Sequence, residues 1–151
     1  IEIAKMVAAQ LGFKPDQIKY TETVSANREP FLQQGNVDMV VATYTINDER
    51  KKVVDFAGPY YVAGQDLLVA EDSDIAGPED FDEQYEGEFK VVGKPFTEEP
   101  YGVGLPKDDK ALRDAVNDAV EKGMDDGDWK KAFEYTLGST DDVDMPKVDR
   151  Y

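Results

Sequence analysis

Apolar residues recur at helical spacing where the chain opens. In IEIAKMVAAQLGF, Ile3, Met6, Val7 and Leu11 share one face and Gly12 ends the run. This predicts an amphipathic helix that starts at Ile1 without a cap, so a further element is expected ahead of it. QIKYTETV, residues 17–24, has the β-branched and aromatic content of a strand, and ANREPFLQQG, residues 26–35, reads as a short helix stopped by glycine. VDMVVATYTI, residues 37–46, is apolar on both faces, as a buried parallel strand is. INDERKK then predicts a strand-to-helix turn with Asn47 or Asp48 as N-cap, and VAGQDLLVA, residues 62–70, another strand.

The pattern breaks at Glu71. Residues 71–88, EDSDIAGPEDFDEQYEGE, hold nine carboxylates and no Lys or Arg, which reads as a solvated linker. Order resumes with two strand candidates, FKVVGKPF and YGVGLP, and then two helices. Leu112, Ala115, Val116, Ala119 and Val120 form the apolar face of the first helix, and Trp129, Phe133 and Leu137 mark the second. The tail STDDVDMPKVDRY has little periodicity and is expected to lie extended on the surface. Helices between buried strands make this an α/β layered chain.

Charge and composition narrow the chemistry. The net charge is −16, from 33 acidic and 17 basic residues, which disfavours nucleic acid, because phosphate neutralisation needs clustered Lys and Arg. His and Cys are both absent, which removes Ser/His and Cys/His nucleophile systems, thiolate metal sites and disulfides. No apolar run approaches the roughly 20 residues of a membrane span. DDGD and STDDVD lack the EF-hand spacing and read as solvated acidic loops, so neither a metal nor a cofactor is expected.

One cluster stands out. Thr43 and Thr45, two residues apart on an extended segment, leave it on the same side, and Arg50 follows a short turn later. Two hydroxyls and a guanidinium at the C-terminal end of a strand form a plausible carboxylate receptor, because the planar fork of Arg meets both oxygens at once. The plainer alternative pairs Arg50 with Asp48, Glu49 or Asp55 on the surface.

Residues 37–69, VDMVVATYTINDERKKVVDFAGPYYVAGQDLLV, resemble the strand-turn-strand signature of the extracytoplasmic amino-acid-binding proteins of ABC importers, the polar amino acid family. IEIAKMVAAQLG, EPYGVGLPKDD and VEKGMDDGDWKKAFEYTLG add to the likeness, which covers about three quarters of the chain. It implies a periplasmic-binding-protein-like (type II) lobe with a mixed sheet flanked by helices. It also implies that Arg50, with Thr43 and Thr45, takes the α-carboxylate of an amino acid. SANRE resembles members selective for glutamate and aspartate, which assigns Ser25 and Arg28 to the side-chain carboxylate; the plainer reading is a helix cap with Arg28 paired to Glu29 or Glu22. The overall likeness is greatest to glutamate-binding lipoproteins of actinobacteria.

The resemblance further implies an extracytoplasmic, lipid-anchored protein with an ABC permease as partner and L-glutamate or L-aspartate as ligand. Residues 1–70 and 91–138 would form the first lobe, 71–90 an acidic linker where relatives have a second lobe, and 139–151 a tail. Family members begin one strand earlier, so the chain is expected to act as a truncated lobe of weak or no affinity, open to dimerisation through its cleft or sheet edge. Tyr60 and Tyr61 would anchor a turn near the cleft, and Trp129, Phe133 and Tyr135 would pack in the core. Two alternatives share the fold: a ligand-sensing lobe like that of ionotropic glutamate receptors, and a dehydratase. The second lacks an evident acid/base pair, since the chain has no His and no carboxylate stands out at an apolar position.

Overall fold

The computed structural model describes residues 1–77, 89–92, 97–139 and 143–151. Helix α1 (Glu2–Gln10) is followed by short 3-10 turns at Pro15–Gln17 and Ser25–Asn27, the latter leading into α2 (Arg28–Gln33). Then come β1 (Val40–Thr45), α3 (Asp48–Lys51), β2 (Asp55–Ala63), β3 (Leu67–Ala70), β4 (Phe89–Val92), β5 (Glu99–Leu105), α4 (Lys110–Asp125) and α5 (Asp128–Thr136). Two compact units result, Ile1–Val62 with Pro100–Tyr151, and Ala63–Glu99.

The first unit is built on a three-stranded sheet in the order β1-β5-β2. β1 runs antiparallel to β5, with Val40 opposite Gly104, Val41 opposite Val103 and, past a register shift, Thr45 opposite Tyr101. This corrects the parallel pairing expected of residues 37–46. Their two apolar faces report burial on both sides and carry no information about strand direction.

One core gathers Ala57, Tyr60, Val103 and Leu105 from the strands with Met6, Val7, Val116, Ala119, Val120, Trp129 and Phe133 from α1, α4 and α5. The other joins Val40, Tyr44 and Phe56 to Leu32 of α2 and to Val54. Adjacent residues Phe56 and Ala57 therefore serve opposite cores, as the two-residue period of a strand requires. Helices cover both faces of the sheet, which makes the α/β layering expected from the sequence.

Other expectations change as well. Residues 18–24 form no strand: Ile18 (φ −90°, ψ 119°) and Val24 (φ −79°, ψ 159°) are extended, but no strand among the described residues supplies the hydrogen-bond ladder. Leu137 caps the end of α5 and is 66% exposed, so the α5 face ends at Phe133. The tail is irregular, yet residues 148–151 are bound to the fold. Val148 is buried, Asp149 N donates to Gly58 O (2.8 Å), and Phe56 N donates to Tyr151 Oη (2.8 Å). Arg150 Nη2 reaches both Asp118 and Glu121 at 2.6 Å. The tail thus satisfies β2 backbone groups that β5 does not reach, and buried Asn117 of α4 takes the Gly58 N–H at 2.9 Å.

Tyr60 and Tyr61 lie within β2 and form no turn. Tyr60 Oη donates to Ala42 O, and Tyr61 packs against Tyr101 and Phe133 with ring centroids 5.8 and 5.6 Å away. Trp129 and Phe133 are core residues as expected, with Trp129 Nε1 donating to Tyr60 O at 2.6 Å, whereas Tyr135 is 80% exposed.

In the second unit β3 pairs antiparallel with β4, Leu67 opposite Val92 and Ala70 opposite Phe89. Gln65 N donates to Thr97 Oγ1 at 2.8 Å. Residues 78–88 of the expected acidic linker, 93–96 of the FKVVGKPF segment and 140–142 of STDDVD lie outside the described residues.

Candidate functional site

The end of β1 is a short sequence of alternating roles. Thr43 and Thr45 leave the strand on one side, and Tyr44 between them turns inward and is fully buried. Its ring meets Phe56 edge-on, with centroids 4.9 Å apart and planes at 63°. Gly104 on the adjacent strand makes room for that ring: a Cβ there would stand 2.5 Å from Tyr44 Cε1 and 3.3 Å from Leu32 Cδ1.

Past β1 the chain turns into α3. Asn47 is the N-cap, its Oδ1 accepting from Arg50 N at 2.9 Å, so one of the two capping residues expected from the sequence is selected. The cap sets Arg50 in the first turn and returns its side chain to the strand it has just left. There Nη1 donates to Thr45 O at 2.7 Å, and the guanidinium carbon lies 4.9 Å from the Tyr44 ring centre.

A second guanidinium reaches the same ring from α2. Arg28 lies 5.3 Å from the Tyr44 ring centre, and its Nη1 donates to Thr43 O at 2.8 Å. The two arginines, 22 positions apart by their numbers, therefore hold carbonyls two residues apart on one strand end and share one aromatic platform. Cations over an aromatic face contribute about 0.5–2 kcal/mol each, the upper end when desolvated.

The arginines differ in their ionic partners. Arg50 Nε lies 3.3 Å from Glu29 Oε1, with both side chains partly buried. The Asp48, Glu49 and Asp55 alternatives for Arg50, and Glu29 or Glu22 for Arg28, are not the pairings formed. Among the described residues Arg28 has no ion pair, and its buried Nε has no hydrogen-bond partner. Burial first, then the Glu29 carboxylate, push the Tyr44 phenol well above its usual range. It stays neutral beneath the two cations.

Of the five residues singled out from the sequence, the structure brings together Arg28, Arg50, Thr43 and Thr45, the threonines engaging the guanidiniums through main-chain carbonyls. Ser25 is exposed in the 3-10 turn before α2, where its carbonyl accepts from Arg28 N. Sequence reasoning missed Tyr44, Glu29 and Gly104. The strand period alone could have flagged Tyr44 as the inward residue between two outward threonines; nothing local marks Glu29 or Gly104. Among the described residues no group of three or more acidic side chains could hold a metal ion, and no helix is long and apolar enough to cross a membrane.

A basic cluster lies elsewhere in the first unit. Buried Asp55 accepts from Lys107 Nζ (2.8 Å) and Asp108 N (3.0 Å), with Arg113 Nη1 at 3.9 Å. Lys51 and Arg113 lie 4.0 and 4.7 Å from the centre of the Tyr151 ring. The cluster locks the tail to the sheet.

The sequence profile of the bacterial extracellular solute-binding proteins, family 3, matches residues 1–139. The glutamate-binding protein GluB of Corynebacterium glutamicum is 31% identical over 200 residues, spanning 90% of this chain and 68% of that protein. The ABC transporter glutamine-binding protein GlnH of Bacillus subtilis is 28% identical over 190 residues, spanning 88% and 70%. Among solved structures, an ancestral arginine-binding protein bound to arginine superposes with a TM-score of 0.75 at 26% identity, over 91% of this chain and 86% of that one. The ligand-binding core of GluR0 from Nostoc punctiforme, in complex with L-glutamate, gives 0.74 at 16% identity over 91% and 90%. The fold is the type II periplasmic one.

Proposed function

The chain belongs to the bacterial extracellular solute-binding proteins, family 3, and from that premise we propose that it is the ligand-binding component of an ABC-type amino-acid importer, selective for L-glutamate or L-aspartate. The observation that carries this reading is the pair of guanidiniums at one strand end, of which, among the described residues, only Arg50 has a carboxylate partner. A ligand with two carboxylates supplies the charge that such a pair lacks. Arg50 takes the α-carboxylate and Arg28 the side-chain carboxylate, with Thr43, Thr45 and Ser25 lining the approach. In a protein of net charge −16, two adjacent arginines also make a local positive field that steers an anion inward.

The ligands for which the relatives are named support an amino-acid ligand and differ in which one: glutamate for GluB, glutamine for GlnH. The Arg28 charge favours the acid over the amide. Extracytoplasmic placement, a lipid anchor and a permease partner follow from the same reading.

The test is calorimetry of this chain with L-glutamate, L-aspartate, L-glutamine and L-lysine, beside an amide NMR titration. Saturable binding of the dicarboxylates, at least tenfold tighter than glutamine and with no binding of lysine, is the expected result. Arg28→Ala should erase the preference for acid over amide, and Arg50→Ala should remove binding of all ligands. Equal affinity for glutamate and glutamine in the unmodified chain would overturn the acidic assignment. An absence of shifts at Thr43, Arg28 and Arg50 with any amino acid would overturn the site.

A further inference from the structure

Glu29 occupies an unusual place for an acidic residue beside a receptor for anions. Its Oε1 sits 3.3 Å from Arg50 Nε, with 23% of its side chain and 32% of that of Arg50 exposed. It follows Arg28 directly in α2, yet it pairs with the arginine 21 positions away by number rather than with its neighbour.

The Arg50 guanidinium is consequently held at three points. Nε faces Glu29, Nη1 gives a hydrogen to Thr45 O at 2.7 Å, and the planar face rests on Tyr44. A guanidinium can receive a carboxylate side-on, through Nε and one Nη, or end-on, through both Nη groups. With Glu29 at Nε, the side-on approach is contested by a resident carboxylate. The end-on edge keeps Nη2 and the Nη1 hydrogen that Thr45 O does not take.

We infer that Glu29 is a positioning residue for ligand binding: it fixes Arg50 by its Nε edge, so that the α-carboxylate is met end-on, and it leaves Arg28, which has no ion pair among the described residues, for the ligand's second charge. The inference rests on the function proposed above, because it assigns Glu29 a part in the same site. It differs from a specificity role. A residue that acts through Arg50 affects whatever all amino-acid ligands share, the α-carboxylate, and leaves the ratio between side chains alone. Loss of the Glu29 carboxylate frees the guanidinium to rotate about its last torsions, which lowers preorganisation and hence affinity.

Glu29→Ala and Glu29→Gln are compared with the unmodified chain by calorimetry with L-glutamate and L-glutamine. Glu29→Ala should weaken both ligands by the same factor, tenfold or more. Glu29→Gln, whose amide oxygen still accepts from Nε, should recover binding to within about threefold. The side-chain Nε–H resonance of Arg50, read by NMR without ligand, should be slowed in exchange in the unmodified chain and in Glu29→Gln, and fast in Glu29→Ala. That resonance reports on the Arg50 anchor whether or not any ligand binds, so it tests Glu29 even if the proposed function fails.

Unchanged affinity in Glu29→Ala, with the unmodified chain binding normally, would overturn the inference while leaving the function intact. So would a change in the ratio of glutamate to glutamine at constant glutamine affinity, which would make Glu29 a discriminator. If Glu29→Ala does not fold, Glu29→Gln decides: binding within threefold and a retained Nε–H signal support the anchor, and loss of both overturns it.

Discussion

Gly104 lies against the ring of Tyr44 so closely that a Cβ on it would stand 2.5 Å from Tyr44 Cε1. The platform beneath both arginines therefore depends on the absence of a side chain on the neighbouring strand. Gly104→Ala should displace the Tyr44 ring and cost about 1–3 kcal/mol, as overpacking of a close-fitted core does. Chemical denaturation with an unchanged m-value checks the cost, and weaker glutamate binding with loss of both arginine contacts checks the consequence. Full stability in the variant would mean that the ring can slide without penalty.

Arg50→Lys separates charge from shape. Lysine keeps the positive charge, but it lacks the fork that reaches Glu29, Thr45 O and a ligand carboxylate together. Glutamate affinity should fall at least tenfold, about 1.4 kcal/mol, while the melting temperature moves little. Calorimetry and a thermal melt on one sample test this, and retention of affinity would reduce Arg50 to a point charge.

Asp55 is a structural charge. It is 3% exposed, between Lys107 Nζ at 2.8 Å and Asp108 N at 3.0 Å, and its hydrogen bond holds the Lys107 ammonium above its usual pKa. Asp55→Ala should destabilise the fold by about 1.5–3 kcal/mol, the range of hydrogen bonds to charged groups. Urea unfolding measures it, and protection of the Asp108 amide should drop in hydrogen exchange. A loss below half a kilocalorie would show the pair to be screened.

Burial raises the phenol pKa values of Tyr44 and Tyr60. The native state then holds these protons more tightly than the unfolded chain, whose tyrosines titrate near 10. Stability from this source is complete below about pH 10 and is lost as pH rises toward the folded-state values. Phenolate absorbance should show part of the eight tyrosines ionising late, together with loss of helical circular dichroism. Tyr60→Phe should reduce that late step. Uniform titration near pH 10 with an unchanged fold would contradict it.

Local physics was legible from the residues alone. The 3.6-residue recurrence of Met6 and Val7, and of Val116, Ala119 and Val120, placed two buried helix faces, and the pair Asn47 and Asp48 marked the turn that aims Arg50. The spacing of Thr43, Thr45 and Arg50 pointed to one strand end. Such signals survive in sequence because helix and strand periods, caps and turns are settled within a few residues.

Tertiary structure alone decided the rest. That β1 runs antiparallel to β5 depends on a partner some 60 residues away, and apolar pattern has no direction in it. Residues 17–24 had strand composition and no ladder, and the tail had no pattern yet closes the edge of β2 through Asp149 and Tyr151. Whether Glu29 would pair with Arg28 or Arg50 could not be read from their order, because the outcome depends on where α2 and α3 are carried by the sheet between them. Sequence determined which side chains have the chemistry to meet a carboxylate; packing around Tyr44 and Gly104 determined which of them stand together.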